Sequence, residues 1–300
     1  MPDLFFQEIS WQRFMDFISL SADRFAVLTE VLEESALDYK VVDIAGGRHF
    51  VIAPSTPTDS QPKGLGRWPP TMLVAHYDRA EKSSGANDNS AGVFLLIETA
   101  IKLKKRNVSN WVVIFTDKEE LRPGDSIQIQ GAYAIAEGLK NLKMENYKVF
   151  CFDACGTGDT LVISTTLEHL LKGEKGGEKI REPMVELRKL ALDTARELSM
   201  PKALLAPTPF SDDAGFFRAG LAAQTITMLP SDECIQLVAE LRKNPLFTDV
   251  LINAQLRKKS RSLAVPETWR CLNSPLDSYL RLTPKNFRKV VNFAEALCSE

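Results

Sequence analysis

Apolar residues recur at helical spacing in SADRFAVLTEVLEES, through Phe25, Leu28, Val31 and Leu32, which predicts an amphipathic helix opening on a capping Ser. Two short apolar runs follow, YKVVDI and HFVIA, and the AGGR between them carries the paired glycines of a hairpin turn. PSTPTDSQPKGLGRWPP, rich in Pro and Gly, then reads as a connector. Beyond it the periodicity alternates. TMLVAHY, NWVVIFTD and YKVFCFDA are nearly continuous apolar runs of strand length, while SAGVFLLIETAIKLKK and SIQIQGAYAIAEGLK between them have helical spacing. Strands this apolar are buried on both faces, so the alternation predicts an α/β fold: a mostly parallel mixed sheet with helices on both faces.

The later pattern extends the same architecture. A strand after Asp153 leads into the helix-like TLEHLL, and GEKGGEKIRE reads as a charged loop. PMVELRKLALDTARELSM returns to helical spacing and LAAQTITMLP to a strand; TPKNFRKVVNFAEALC closes the chain as a helix with a capping Thr and Pro in its first turn. The basic run LRKKSRS, within 242–266, reads as a solvated surface excursion. The organisation expected is one domain over 1–300, with an N-terminal helical segment at about 1–38 and a lid or insertion at 231–268.

Composition narrows the function. With 44% hydrophobic and 25% charged residues the chain can bury a large core, and wholesale disorder is excluded. Its formal charge of −2 gives no basic field for nucleic acid or anionic lipid, so the partner expected is a peptide or small amino-acyl substrate. MPDLFFQEISWQRF lacks the basic start and apolar stretch of a secretory signal, and no window is apolar for long enough to span a bilayer. Five scattered cysteines, an odd number, fit reduced thiols, and the location expected is the cytoplasm.

The chemistry gathers at the carboxyl ends of the predicted strands, where open α/β sheets bind ligands. His76 and Asp78 end the first parallel strand, Asp117, Glu119 and Glu120 the second, Asp153 the third, and Asp88 opens the helix after the first. An imidazole among carboxylates is the donor set of zinc or a related divalent ion with hydrolytic potential. Of two adjacent glutamates, one can bind metal while the other acts as general base.

AHYD, GANDNSAG, DKEE and FDACG together resemble the motifs of the zinc aminopeptidase family that includes glutaminyl cyclases (peptidase family M28), with the transferrin receptor ectodomain as a non-catalytic relative. SDDAGFFRAGLAAQTITM is similar to the family's late segment, and the match runs from about residue 20 onward. The resemblance implies the phosphorylase/hydrolase-like fold of zinc-dependent exopeptidases. It also implies a first metal site of His76, Asp88 and Asp153, with Asp88 bridging to a second ion held by Glu120, Glu119 as general base and Asp78 orienting His76.

The family's last ligand is a His, and here WRCLNSPLDSYLRLTP puts Asn273 in its place. An amide oxygen is a weaker zinc donor than imidazole and suits harder ions, so one Zn2+ is expected to be firmly held and the second site weakened or filled by another divalent ion. Cys271, His169 and His49 are conceivable replacements, and the acidic pair Asp212 and Asp213 could add a carboxylate near the pocket. The reading is therefore a metal-dependent aminopeptidase-like hydrolase. Its alternatives are a non-catalytic binding member of the family and a cyclase-like acyltransferase, in which the Asp212–Asp213 pair would handle protons.

Overall fold

The computed structural model describes residues 6–54, 70–122, 124–171, 178–200, 203–260 and 262–299. The connector predicted after the hairpin lies almost wholly outside them, as does the first half of GEKGGEKIRE. The chain opens with α1 (Trp11–Ile18) and α2 (Arg24–Glu34). The cap of α2 is Asp23 rather than the expected Ser21: its Oδ1 accepts from Ala26 N at 3.1 Å, and Ser21 lies two positions too early to do so. The hairpin β1 (Tyr39–Ile44) and β2 (Gly47–Ile52) turns at Ala45 and Gly46, both with positive φ, so the second of the paired glycines already belongs to β2.

Then come β3 (Thr71–His76), α3 (Ala91–Lys105), β4 (Trp111–Thr116), α4 (Gly131–Asn141), β5 (Lys148–Phe152), β6 (Thr160–Ser164), α5 (Thr166–Leu171) and α6 (Glu178–Glu197). The expected helix from Ser126 starts late, after a 3₁₀ turn at Ile127–Ile129. Conversely α6 begins before Pro183 and absorbs the second half of the expected loop. The edge strand β7 (Ala203–Ala206) was not expected, since four residues are too few to show a period. The chain ends with α7 (Asp212–Arg218), β8 (Ala223–Leu229), α8 (Ser231–Lys243), α9 (Phe247–Ile252), α10 (Ala254–Lys259), α11 (Glu267–Cys271) and α12 (Phe287–Leu297).

The eight strands form one sheet in the order β1-β2-β4-β3-β5-β8-β6-β7. Its centre, β4-β3-β5-β8, is parallel, whereas β1-β2, β2-β4 and β8-β6 pair antiparallel, which makes the sheet mixed as expected. Alternate residues of β3 face opposite ways. Leu73 and Ala75 join a core shared with α1, α2, α3 and α12, and Met72 and Val74 a second core with α4 and α7. Both faces are thus covered, and the polar ends of the strands are the places where the sheet can meet a ligand.

Candidate metal centre

Because β3, β4 and β5 run parallel and in register, with His76 beside Thr116 and Val74 beside Cys151, their carboxyl ends stop at one edge. His76 closes β3 and is fully buried. Asp88 comes from a tight turn, Ala86–Ser90, that feeds α3. Asn89 Nδ2 donates to Phe152 O at 2.7 Å and Asn87 Oδ1 accepts from Gly156 N at 2.7 Å, tying that turn to the end of β5, where Asp153 lies. Gly92 lets the pieces approach, for a Cβ there would lie 2.2 Å from Asn89 Oδ1.

The imidazole sits between three carboxylates. His76 Nε2 lies 3.1 Å from Asp88 Oδ1 and 3.7 Å from Asp153 Oδ1, and Nδ1 lies 3.4 Å from Asp78 Oδ1. Neither nitrogen makes an aligned hydrogen bond, and Asp153 Oδ1 is also buried without one. One donor atom from each of His76, Asp88 and Asp153 lies within 4.8 Å of the others. Bonds of about 2.0–2.2 Å to a tetrahedral zinc separate neighbouring ligand atoms by roughly 3.3–3.6 Å, a spacing that the distances from His76 bracket. Nε2 lies near both oxygens yet makes an aligned hydrogen bond to neither, as a lone pair reserved for a shared cation would. The donor set and the unpaired buried atoms therefore fit a divalent ion.

Glu119 and Glu120 follow β4, and Asp78 holds both: its Oδ1 accepts from Glu119 N and its Oδ2 from Glu120 N, each at 3.1 Å. The loop rests on α4, where a Cβ on Gly131 would lie 1.9 Å from Asp117 O. Gln130 Nε2 donates to Glu119 Oε1 at 3.2 Å, and among the described residues no donor meets the other carboxylate oxygen of Glu119. Glu120 Oε1 is buried and unpaired. Asp88, Glu119, Glu120, Asp153 and Asn273 line one cavity of about 480 Å³. A larger cavity of about 810 Å³, near the start of β5, includes none of them.

Electrostatics follow from that crowding. Burial raises the carboxyls of Glu119 and Glu120 well above the ordinary range, and for Glu120 the charge of Asp88 adds to it. Burial and the charge of Asp153 raise Asp88. Asp78 is the exception: burial pushes it up, but His76 and the N–H groups of Glu120 and Glu119 prevail and lower it. Burial would lower the His76 imidazole, yet Asp153, Asp78 and Asp88 outweigh it and hold it well above its ordinary value in the metal-free chain. Asp212 and Asp213 are raised by burial to about 7 each. Asp212 Oδ2 accepts from Thr116 Oγ1 at 2.7 Å, and neither of the two lines the cavity.

Asn273 has the left-handed φ of 56°, and its Oδ1 is buried and unpaired beside the same cavity. The conceivable substitutes for the missing imidazole face elsewhere. Cys271 Sγ contacts Glu267 at 3.5 Å, His169 pairs with Asp249 at 3.4 Å, and His49 Nδ1 accepts from Asp117 N at 3.1 Å. The pattern reading missed three residues. Asp277 accepts from Asn87 N at 2.9 Å and Asp88 N at 3.0 Å, fixing the turn that carries Asp88; it is the Asp of SPLDS, directly after Asn273. Gln130 gave no signal. Arg257, expected on a solvated surface, is buried and lines the cavity.

The sequence profile of peptidase family M28 matches residues 64–248, more than half of the chain. The chain belongs to peptidase family M28. No curated protein matches the M28 chain. Among solved structures, it resembles a zinc aminopeptidase from Bacillus subtilis at 17% identity and TM-score 0.54, over 83% of this chain and 49% of that one. It thus spans about half the length of that neighbour. A leucine aminopeptidase precursor from Bacteroides thetaiotaomicron matches at 13% identity and TM-score 0.63, over 99% and 96% of the two chains. A glutaminyl cyclase from the same organism, bound to N-acetylhistamine, matches at 13% identity and TM-score 0.63, over 99% and 97%. At such identities the likeness is one of fold, that of a zinc-dependent exopeptidase. Among the described residues of the M28 chain, no helix is long and apolar enough to cross a membrane.

Proposed function

We propose that the chain is a metal-dependent aminopeptidase-like hydrolase that releases N-terminal residues from peptides. The observation that carries this reading is the convergence of His76 Nε2, Asp88 Oδ1 and Asp153 Oδ1 beside two buried glutamates in one cavity. In this reading His76, Asp88 and Asp153 hold one zinc. Asp88 and Glu120 face a second position, where Asn273 supplies only a neutral oxygen and zinc binds weakly or yields to a harder ion. A divalent ion in such a cradle supplies Lewis-acid polarisation of the scissile carbonyl and acidifies the attacking water.

The chain's own residues do the rest. Glu119 takes a proton from the attacking water on the carboxylate oxygen that Gln130 leaves free, and returns it to the departing amine nitrogen. Burial makes its ionised form a stronger base than a solvated glutamate. Asp78 keeps Glu119 and Glu120 in place through their amides. All five cysteines are free and buried, which suits a reducing compartment such as the cytoplasm.

A cyclase-like acyl transfer is the second reading. It is favoured by the buried Asp212, raised to about 7, and opposed by the absence of Asp212 from the cavity wall and by Asn273, which stands where a cyclase needs its third ligand. Assay of aminoacyl amides and of an N-terminal glutaminyl peptide, with zinc, manganese or cobalt added, separates the two. Glu119→Gln should lower hydrolysis at least 100-fold with metal content unchanged, because a base is not a ligand. Full activity in that variant would remove Glu119 from the mechanism.

A further inference from the structure

Arg257 is 8% exposed and lines the cavity together with Asp88, Glu119, Glu120 and Asp153. Its Nη1 donates to the Leu251 carbonyl, and among the described residues no carboxylate lies within ion-pair distance of its guanidinium. That is an unusual state for arginine, since a buried cation is ordinarily paired. The four cavity carboxylates act on it only at longer range and, once they hold divalent metal, their charge is largely spent on it. A second arginine, Arg218 at the end of α7, is exposed and lines the same cavity.

The charge pattern has a consequence for the substrate. Acidic side chains on the sheet side of the cavity suit an amino terminus. Cations contributed by α10 and α7 repel one, unless the same molecule carries an anion to meet them. Guanidinium groups recognise planar carboxylates through paired N–H donors, and burial strengthens that recognition. The lining also includes the apolar side chains of Phe210, Phe217 and Ile252. The site therefore offers an anion receptor, an apolar stretch and a hydrolytic centre in one volume of about 480 Å³, room for a small peptide.

We propose that Arg257 receives a carboxylate of the substrate, so that the preferred substrates are short peptides carrying an anion close to the scissile bond. The anion is either the C-terminal carboxylate of a dipeptide or an acidic side chain. The proposal deepens the peptidase reading and rests on the cavity being a peptide site. Arg257 is here a specificity-determining residue, separate from the groups that act on the scissile bond.

The test is calorimetric titration of the zinc-loaded full chain with three ligands whose scissile amide is reduced to a methylene amine. They are the leucyl-glycine analogue with a free carboxylate, its carboxamide, and the glutamyl-glycinamide analogue. We expect at least one of the two carboxylate ligands to bind at least tenfold tighter than the leucyl carboxamide. Which of them does so identifies the source of the anion. Arg257→Gln should abolish the difference while leaving carboxamide binding within about twofold, and Arg257→Lys should restore part of it. Indifference of the native chain to the carboxylate, including no binding of any ligand, would overturn the proposal without recourse to a variant. So would equal weakening of all three ligands in Arg257→Gln with zinc content lost, which would make Arg257 a countercharge of the acid cluster. Hydrolysis of the parent dipeptides is measured separately: turnover without carboxylate preference sinks this proposal alone, and carboxylate-selective binding without turnover sinks the hydrolase reading alone.

Discussion

A carboxylate two positions after a strand-end histidine suggests a single partner, and Asp78 has three: the His76 ring and the amides of Glu119 and Glu120. Asp78→Asn keeps the shape but replaces one acceptor oxygen by an NH2 that confronts an N–H. Each charge-assisted hydrogen bond so lost is worth roughly 1.5–3 kcal/mol. The variant should lose about 10- to 100-fold in kcat, with KM less affected, and steady-state kinetics would show it; an unchanged kcat would reduce Asp78 to a spectator. The legible residues are those the chain itself clusters. His76, Asp88, Glu119, Glu120 and Asp153 each break an apolar run or sit just beyond one, so polarity at a strand mouth stands out. Asp277 reaches Asp88 across 189 positions and Arg257 reaches the cavity from a basic run on a short helix. Neither interrupts a pattern, and only the folded chain brings them in.

Among the elements, the segment from α8 to α11 forms one wall of the cavity, to which it carries Ile252, Ala254 and Arg257. It packs through a cluster of its own, with Leu237, Phe247, Leu251, Val265 and Trp269 buried, and polar bonds fix the stretch around Arg257 on top of that cluster. Glu233 of α8 accepts from Thr268 N at 3.1 Å and Thr268 Oγ1 at 3.2 Å. Arg270 of α11 donates to the carbonyls of Val265, Arg257, Ser260 and Leu263, gathering the end of α10 and the loop after it. Arg270→Met removes these four bonds at ~1 kcal/mol each, an overall loss of roughly 2–4 kcal/mol. It should open the stretch around Arg257 to proteolysis while β3 and β5 stay protected. Limited digestion with mass spectrometry reads this, and cleavage no faster than in the native chain would count against Arg270 as the clamp. The short helices α9, α10 and α11 were hard to read in sequence for the reason β7 was: pieces of four to six residues carry no measurable period. The long apolar strands and α3 did carry one.

At the scale of the molecule the fold gathers acidic groups that a solvated chain would keep apart. In the metal-free chain burial raises Asp212, Asp213 and Asp277 to about 7 from an ordinary 3.8. The folded state then holds protons that the unfolded state has already released. These groups favour folding fully below about 3.8, and the benefit is lost as pH rises through about 7. Metal-free protein should therefore have a lower Tm at pH 8 than at pH 6, and zinc should raise Tm more at pH 8, where the cluster must be ionised to bind it. Scanning calorimetry with and without chelator tests both signs; a chelated protein more stable at pH 8 than at pH 6 would contradict them. Alternation of strands and helices made the sheet class legible, whereas the strand order, with β8 between β5 and β6, depends on long-range pairing that no local run encodes. The central claim is that His76, Asp88 and Asp153 jointly hold a divalent cation, and the most direct measurement is zinc per chain by plasma emission after dialysis, for the native protein and for His76→Ala. The account predicts about one tightly held zinc in the native chain and near none in the variant. A native chain without zinc, or a variant that retains it, would contradict the account.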